Sequence, residues 1–301
     1  MRLAFLGTPA FALPCLQALL DGGHDVALVV AQPDRPAGRG NRLLTPPTIE
    51  LARQHGLRTM QPEKVRSGEF PETMEALKLD LAVVVAYGRI LTQQVLDAPK
   101  HGCINIHASL LPRWRGAAPI QWSILAGDTE TGVSIQKMVA ALDAGDLIAE
   151  ARTPIHDTDD TSSLSERLSN MGAKLLRETL EQFDTWNPVS QDPAGVTLAR
   201  ILKKEDGLVD WGRTAAQIDC QIRGLVGWPG TFCPFQGQVL KLLRARPVEG
   251  SGPPGTLLEG ERVACGSGAL RLEQVQLPNR GPISARDFIN GARLRPGDLL
   301  A

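Results

Sequence analysis

The chain is predicted to be an α/β protein. It should have a doubly wound, mostly parallel sheet followed by a small OB-like β-barrel. Three observations carry the prediction. Short apolar runs alternate with helical patterns through the first half, the arrangement that builds parallel sheets from crossover units. The pattern changes near Pro188. After Gly207, brief strand-like runs are separated by glycine and proline, as in small closed β structures. At 301 residues the chain accommodates two domains, and 43% hydrophobic content suffices for a sizeable core.

The elements follow in order. Leu3–Leu6 reads as a buried strand ending at Gly7, with a turn at Thr8-Pro9 and then a helix that stops at Asp21-Gly22-Gly23. Arg2 and the apolar stretch to Leu20 resemble a leader. Pro9 and Pro14 interrupt that stretch and no small-residue cleavage site follows, so strand, turn and helix is the better reading. Val26–Val30, Ala82–Ala86 and Cys103–His107 are further strands, and Thr48–His55 is helical. Residues 33–47 carry four prolines, two glycines and three arginines and cannot form a regular helix or a central strand. In the second part, strand-like runs lie at Val239–Leu243, Arg262–Ala264 and Leu270–Leu272, with a helix interrupting them at Thr214–Arg223. The expected divisions are a catalytic domain over 1–188, a polar linker over 189–204 and a barrel over 205–301.

Net charge is −1, so a nucleic-acid partner must be argued from local charge. No apolar run reaches the length of a membrane span. The five cysteines are widely spaced, with no Cys-x-x-Cys pair, which reads as reduced thiols of a cytoplasmic protein without a metal site.

The chemistry concentrates at Asn105-Ile106-His107. Residues two apart on a strand share a face, so Asn105 and His107 project together while Ile106 enters the core. In an open parallel sheet the C-terminal strand ends are where ligands bind. The segment Ser109-Leu110-Leu111-Pro112-Arg113-Trp114-Arg115-Gly116 follows, and Leu142-Asp143-Ala144-Gly145-Asp146 comes later. Singly, each has an ordinary explanation: a hydrogen-bonded structural histidine, a loop with core leucines, a turn. Together, an amide, an imidazole and a carboxylate suit acyl transfer.

These segments, with GTPAFALP at 7–14, QPDRPAGRG at 32–40 and IRGLVGWPGTF at 222–232, resemble the folate-dependent formyltransferases, and within them the methionyl-tRNA formyltransferase family. The resemblance runs over nearly the whole chain. It implies a Rossmann-like catalytic domain and a tRNA-binding C-terminal barrel. The implied reaction takes the formyl group of 10-formyltetrahydrofolate to the amino group of methionyl initiator tRNA, in support of translation initiation, with no metal. Asn105, His107 and Asp143 would be catalytic. Ser109, Leu110, Leu111 and Pro112 would line the folate site, helped by Tyr87, Gly88 and Ile90. Arg35, Arg39 and Arg42 on the proline-rich loop would contact tRNA, Arg39 first among them. The basic surface would continue through Arg200, Lys203 and Lys204 into the barrel. The expected protein is a cytoplasmic monomer without a membrane partner.

The rival within the same chemistry is a formyltransferase for a small amine, an amino sugar or glycinamide ribonucleotide, which needs no arginine-rich loop. A silent folate or RNA sensor would not need the intact amide, imidazole and carboxylate. A nucleotide-dependent oxidoreductase is disfavoured because Gly7-Thr8-Pro9 is not a dinucleotide glycine fingerprint.

Overall fold

The computed structural model describes residues 1–37 and 42–300, which divide into two compact units. Unit 1 comprises 1–119, 130–154 and 165–199; unit 2 comprises 120–129, 155–164 and 200–301. In chain order the elements are β1 (Arg2–Gly7), α1 (Leu13–Asp21), β2 (Asp25–Val30), β3 (Arg35–Ala37), β4 (Arg42–Leu44), α2 (Pro47–Gln54), β5 (Thr59–Met60), α3 (Glu69–Ala76), β6 (Leu81–Val85), α4 (Gln93–Asp97), β7 (Cys103–His107), β8 (Arg115–Gly116), α5 (Pro119–Leu125), β9 (Glu130–Lys137), β10 (Leu147–Pro154), α6 (Thr161–Glu181) and β11 (Leu198–Ala199). They continue with α7 (Ala215–Gly224), β12 (Thr231–Phe235), β13 (Gln238–Val248), β14 (Arg262–Ala264), β15 (Ala269–Gln276), β16 (Ile283–Ser284) and α8 (Ala285–Gly291).

The central sheet of unit 1 runs β10-β9-β7-β6-β1-β2-β5. The strands from β7 to β5 are parallel, while β9 and β10 close the other edge antiparallel. Every residue of β6 and β7 is buried, as expected for central strands covered on both faces. The four strands named from sequence are present. Strands β9 and β10 escape a reading based on apolar runs, because Thr131, Ser134 and Gln136 interrupt the pattern of β9, although all three are buried. From β1 the chain winds to β2 and β5 on one side and to β6 and β7 on the other. The switch point therefore lies beyond the C-terminal ends of β1 and β6, beside the end of β7.

The proline-rich loop contains a two-stranded hairpin, β3 paired with β4, separate from the central sheet. Asp34 anchors its base, accepting from Thr45 Oγ1 at 3.2 Å and Gln61 Nε2 at 2.7 Å.

Unit 2 holds a curled antiparallel sheet, β12-β13-β15-β14, with β16 on β15. Register shifts along β13 near Arg244 allow the bend. Helix α7 is set by a capping box: Thr214 Oγ1 accepts from Gln217 N at 3.2 Å, and Gln217 Oε1 accepts from Thr214 N at 3.1 Å. The helix precedes the first strand of this sheet instead of interrupting it, a correction to the sequence reading. Ile218 and Ile222 of α7, Leu240 and Leu242 of β13 and Phe288 of α8 share one core.

All five cysteines are free. Burial pushes the Cys15, Cys103 and Cys233 thiols up to about 12, which keeps them protonated. Among the described residues no helix is long and apolar enough to cross a membrane.

Candidate active site

Strand β7 delivers Asn105 and His107 to its C-terminal end, both buried. Register pairs Asn105 with Gln136 and His107 with Ser134 on β9. Residues directly opposite on antiparallel strands share a face, so four polar side chains are presented together.

Asp143 meets this group from its own loop. Its Oδ1 accepts from Asn105 Nδ2 at 3.3 Å and from Gln136 Nε2 at 3.1 Å, and its Oδ2 accepts from the Gly116 backbone N–H at 2.9 Å. His107 Nδ1 lies 3.7 Å from Oδ2. The amide, imidazole and carboxylate, separated by 38 residues at their widest, form one cluster within unit 1.

The loop that carries Asp143 is tightly constrained. Asp143 has φ 49°, a left-handed conformation uncommon for a residue with a Cβ. At Gly145 a Cβ would stand 1.6 Å from the Lys137 carbonyl oxygen, so only glycine allows the loop to lie against β9. Asp146 points elsewhere, accepting from Ser190 Oγ at 2.9 Å, in keeping with a turn residue.

His107 Nε2 lies 2.9 Å from the Trp114 carbonyl oxygen. A carbonyl only accepts, so Nε2 carries the proton and Nδ1 faces the Asp143 carboxylate. Both ring nitrogens are thereby engaged. Asn105 uses one N–H on Asp143, and the other makes no hydrogen bond among the described residues.

The remaining candidate residues divide into groups. Ser109 is buried and its hydroxyl donates to Arg113 O at 2.6 Å, while Leu111 N donates to Ser134 Oγ at 3.0 Å. The Ser109–Pro112 loop is thus pinned to β9, with Leu111 in the core and Leu110 and Pro112 partly exposed. The Tyr87 side chain is buried in the core, and its carbonyl accepts from Gln32 Nε2 at 2.8 Å and Thr8 Oγ1 at 3.3 Å. Gly88 and Ile90, at the switch point, are exposed. Arg35 is exposed and donates to Gln32 Oε1 at 2.7 Å. Arg39 lies outside the described residues, and Arg42 contributes backbone to β4. Lys203 and Lys204 are exposed in unit 2.

Sequence reasoning missed Gln136 and Gln191, both buried next to Asp143. A signal for Gln136 was present: in Val133-Ser134-Ile135-Gln136 polar residues alternate with apolar ones, the period of a strand with one polar face. Gln191 offered none. A cleft of about 830 Å³ lies in unit 2. Two charge pairs stand in its lining, Arg223 with Asp219 at 2.7 Å and Arg246 with Glu273 at 2.8 Å, and it holds none of the Asn105 cluster.

Comparison with known proteins adds the following. A family model for "Formyl transferase" matches residues 1–180, and one for "Formyl transferase, C-terminal domain" matches residues 201–293. The chain is 47% identical over 306 residues to the methionyl-tRNA formyltransferase of Geotalea uraniireducens (strain Rf4), covering 100% of this chain and 98% of that protein. It is 48% identical over 305 residues to the methionyl-tRNA formyltransferase of Gluconobacter oxydans (strain 621H), covering 100% of both. Among solved structures it is similar in fold to the N-formyltransferase from Helicobacter canadensis in complex with folinic acid and dTDP-3-aminofucose. The TM-score there is 0.68, at 16% identity, over 90% of this chain and 99% of that one.

Proposed function

This chain belongs to the formyl transferase family, and we propose that it moves the formyl group of 10-formyltetrahydrofolate to the α-amino group of methionine carried on initiator tRNA. The observation that carries the reading is the convergence of Asn105, His107 and Asp143 at the C-terminal edge of a switch-point sheet, in a chain alike over its full length to methionyl-tRNA formyltransferases. The likeness to a sugar-modifying relative is one of fold and does not favour a small amine.

The geometry supports an addition–elimination mechanism. An α-amino group has a reference pKa of about 7.7–8.0, so a usable share is unprotonated at neutral pH. Its lone pair adds to the formyl carbon, and the carbonyl pair moves to oxygen. The unused N–H of Asn105 donates to that oxyanion. His107 Nε2 is held by Trp114 O, so the oxyanion draws its hydrogen bond from Asn105 and not from this ring nitrogen. Asp143, which faces His107 Nδ1, takes the proton that the attacking nitrogen must lose. The bond to the folate nitrogen then breaks, and that nitrogen recovers a proton. The folate lies along the switch point, against the backbone near Gly88, the side chain of Ile90 and the Ser109–Pro112 loop. Arg35, Arg39, Arg42, Lys203 and Lys204 contact the tRNA. The enzyme works as a monomer in the cytoplasm, with residues 1–188 as the catalytic domain.

The test is transfer of labelled formyl from 10-formyltetrahydrofolate to charged initiator tRNA, run beside amino-sugar nucleotides and glycinamide ribonucleotide. Transfer to tRNA alone is expected. A small amine accepted in its place would overturn the assignment of the acceptor. Asn105→Ala should lower kcat roughly 10²–10³-fold, the effect of losing one oxyanion donor, and wild-type turnover in that variant would remove Asn105 from the mechanism.

A further inference from the structure

The polar segment after Pro188 closes on the site from outside the sheet. Gln191 is 9% exposed and uses both ends of its amide. Its Nε2 donates to Asp143 O at 2.9 Å and to Gly145 O at 2.7 Å, and lies 3.2 Å from Gln136 Oε1. Its Oε1 accepts from Arg115 Nε at 3.0 Å and from a terminal Arg115 nitrogen at 2.7 Å. Gln136 donates to Asp143 Oδ1, and Gly116, next to Arg115, donates to Asp143 Oδ2. One buried amide thus ties the backbone of Asp143 to two of the three sources of hydrogen bonds that aim its carboxylate, the third being Asn105.

The loop needs such a tie. Asp143 sits at φ 49°, and Leu142 beside it is exposed. A left-handed non-glycine residue persists only where its surroundings over-determine it. The same segment also reaches the partner of His107. Thr197 Oγ1 accepts from Trp114 N at 2.9 Å and Thr197 O accepts from Arg115 N at 2.9 Å. Strand β11 then pairs with β8, where Gly116 at φ 122° has its Cα so close to Ala199 that a Cβ would lie 2.5 Å from the Ala199 carbonyl oxygen.

We propose that residues 189–199 form a strap whose key member, Gln191, is a positioning residue for formyl transfer: it holds Asp143 in the conformation that directs the carboxylate at His107. The proposal rests on the role given to Asp143 above. Gln191 touches no reacting atom and acts through the Asp143 loop.

Two variants separate its contacts. Gln191→Leu removes the donor and the acceptor at similar volume. Gln191→Glu keeps an oxygen for Arg115 but turns an acceptor toward the Asp143 and Gly145 carbonyls. Each should lower kcat roughly 10–100-fold, as expected for a misplaced catalytic group, with the KM for 10-formyltetrahydrofolate little changed. Backbone amide exchange at Gly116 and Gly145 should accelerate in both. In the wild type, the Gln191 side-chain amide protons should exchange slowly, a measurement that needs no variant to fold. Wild-type kcat in either folded variant, a loss confined to KM, or fast exchange of the wild-type Gln191 amide would overturn the strap. Exchange requires no substrate. A wild type with protected amides but no transfer to any amine therefore sinks the functional reading, whereas fast exchange in an active enzyme sinks the strap.

Discussion

Tyr87 is the one tyrosine of the chain, and its buried hydroxyl has no hydrogen-bond partner among the described residues. Burial pushes its ionisation up to about 12, opposed in part by the nearby Arg89 charge. The unfolded phenol ionises near ~10, so the folded state holds the proton more tightly. The group's contribution is complete below about pH 10 and is lost as pH rises toward 12. With a single tyrosine, absorbance titration of tyrosinate reads this group alone, and a midpoint near 10 in the folded protein would contradict the buried placement. An unsatisfied buried hydroxyl costs free energy. Tyr87→Phe should therefore keep or raise stability, by up to about 1 kcal/mol in urea unfolding. At this scale Asn105 and His107 were legible because two-residue periodicity places them on one face. The occupancy of both His107 nitrogens was not, since the Trp114 carbonyl reaches the ring only after a loop turns back.

Among the elements, the connection from β9 to β10 matters most. It carries Asp143, and Gly145 lets it rest against Lys137. Gly145→Ala forces that backbone apart, and overpacking of this kind costs about 1–3 kcal/mol. Turnover should fall about 10²-fold or more, because the carboxylate moves with the loop. Gly281→Ala, where a Cβ meets nothing within 4 Å, is the matched control and should be neutral. Thermal melting and kcat on both variants check this; a fully active Gly145→Ala enzyme would show that the loop's close approach is dispensable. Strands β1, β2, β6 and β7 were readable as apolar runs. Strand β9 was not, because the polar side chains that serve the site break its pattern. The stretch from Pro188 to Val196 reads as the start of a linker by composition, since two prolines, a glycine and polar side chains interrupt any regular period. Its hydrogen bonds run to residues far away in sequence, which composition does not encode.

For the whole molecule, a net charge of −1 leaves tRNA recognition to local groups. From Glu205 to Ala301 the chain has eleven Lys and Arg against ten Asp and Glu. Several of these basic residues are paired, such as Arg286 with Glu261 at 2.8 Å. Under the proposed reading the exposed Arg35, Lys203 and Lys204 meet only a few phosphates, so the salt slope should be modest but clear. The KM for initiator tRNA should rise roughly 20–40-fold between about 50 and 200 mM salt for three phosphate contacts, while the KM for the formyl donor changes much less. A tRNA KM indifferent to ionic strength would remove phosphate contacts from the reading.

The sequence by itself determined the fold class, the family and the amide, imidazole and carboxylate that the proposed chemistry uses. Those depend on local periodicity and on short motifs read along the chain. Tertiary structure alone decided what surrounds the carboxylate: Gln136 opposite Asn105 through strand register, Gly116 from a returning loop, and Gln191 from beyond the last helix of unit 1. The physical reason is that period sets the face a side chain takes, whereas its partners are set by register and loop path.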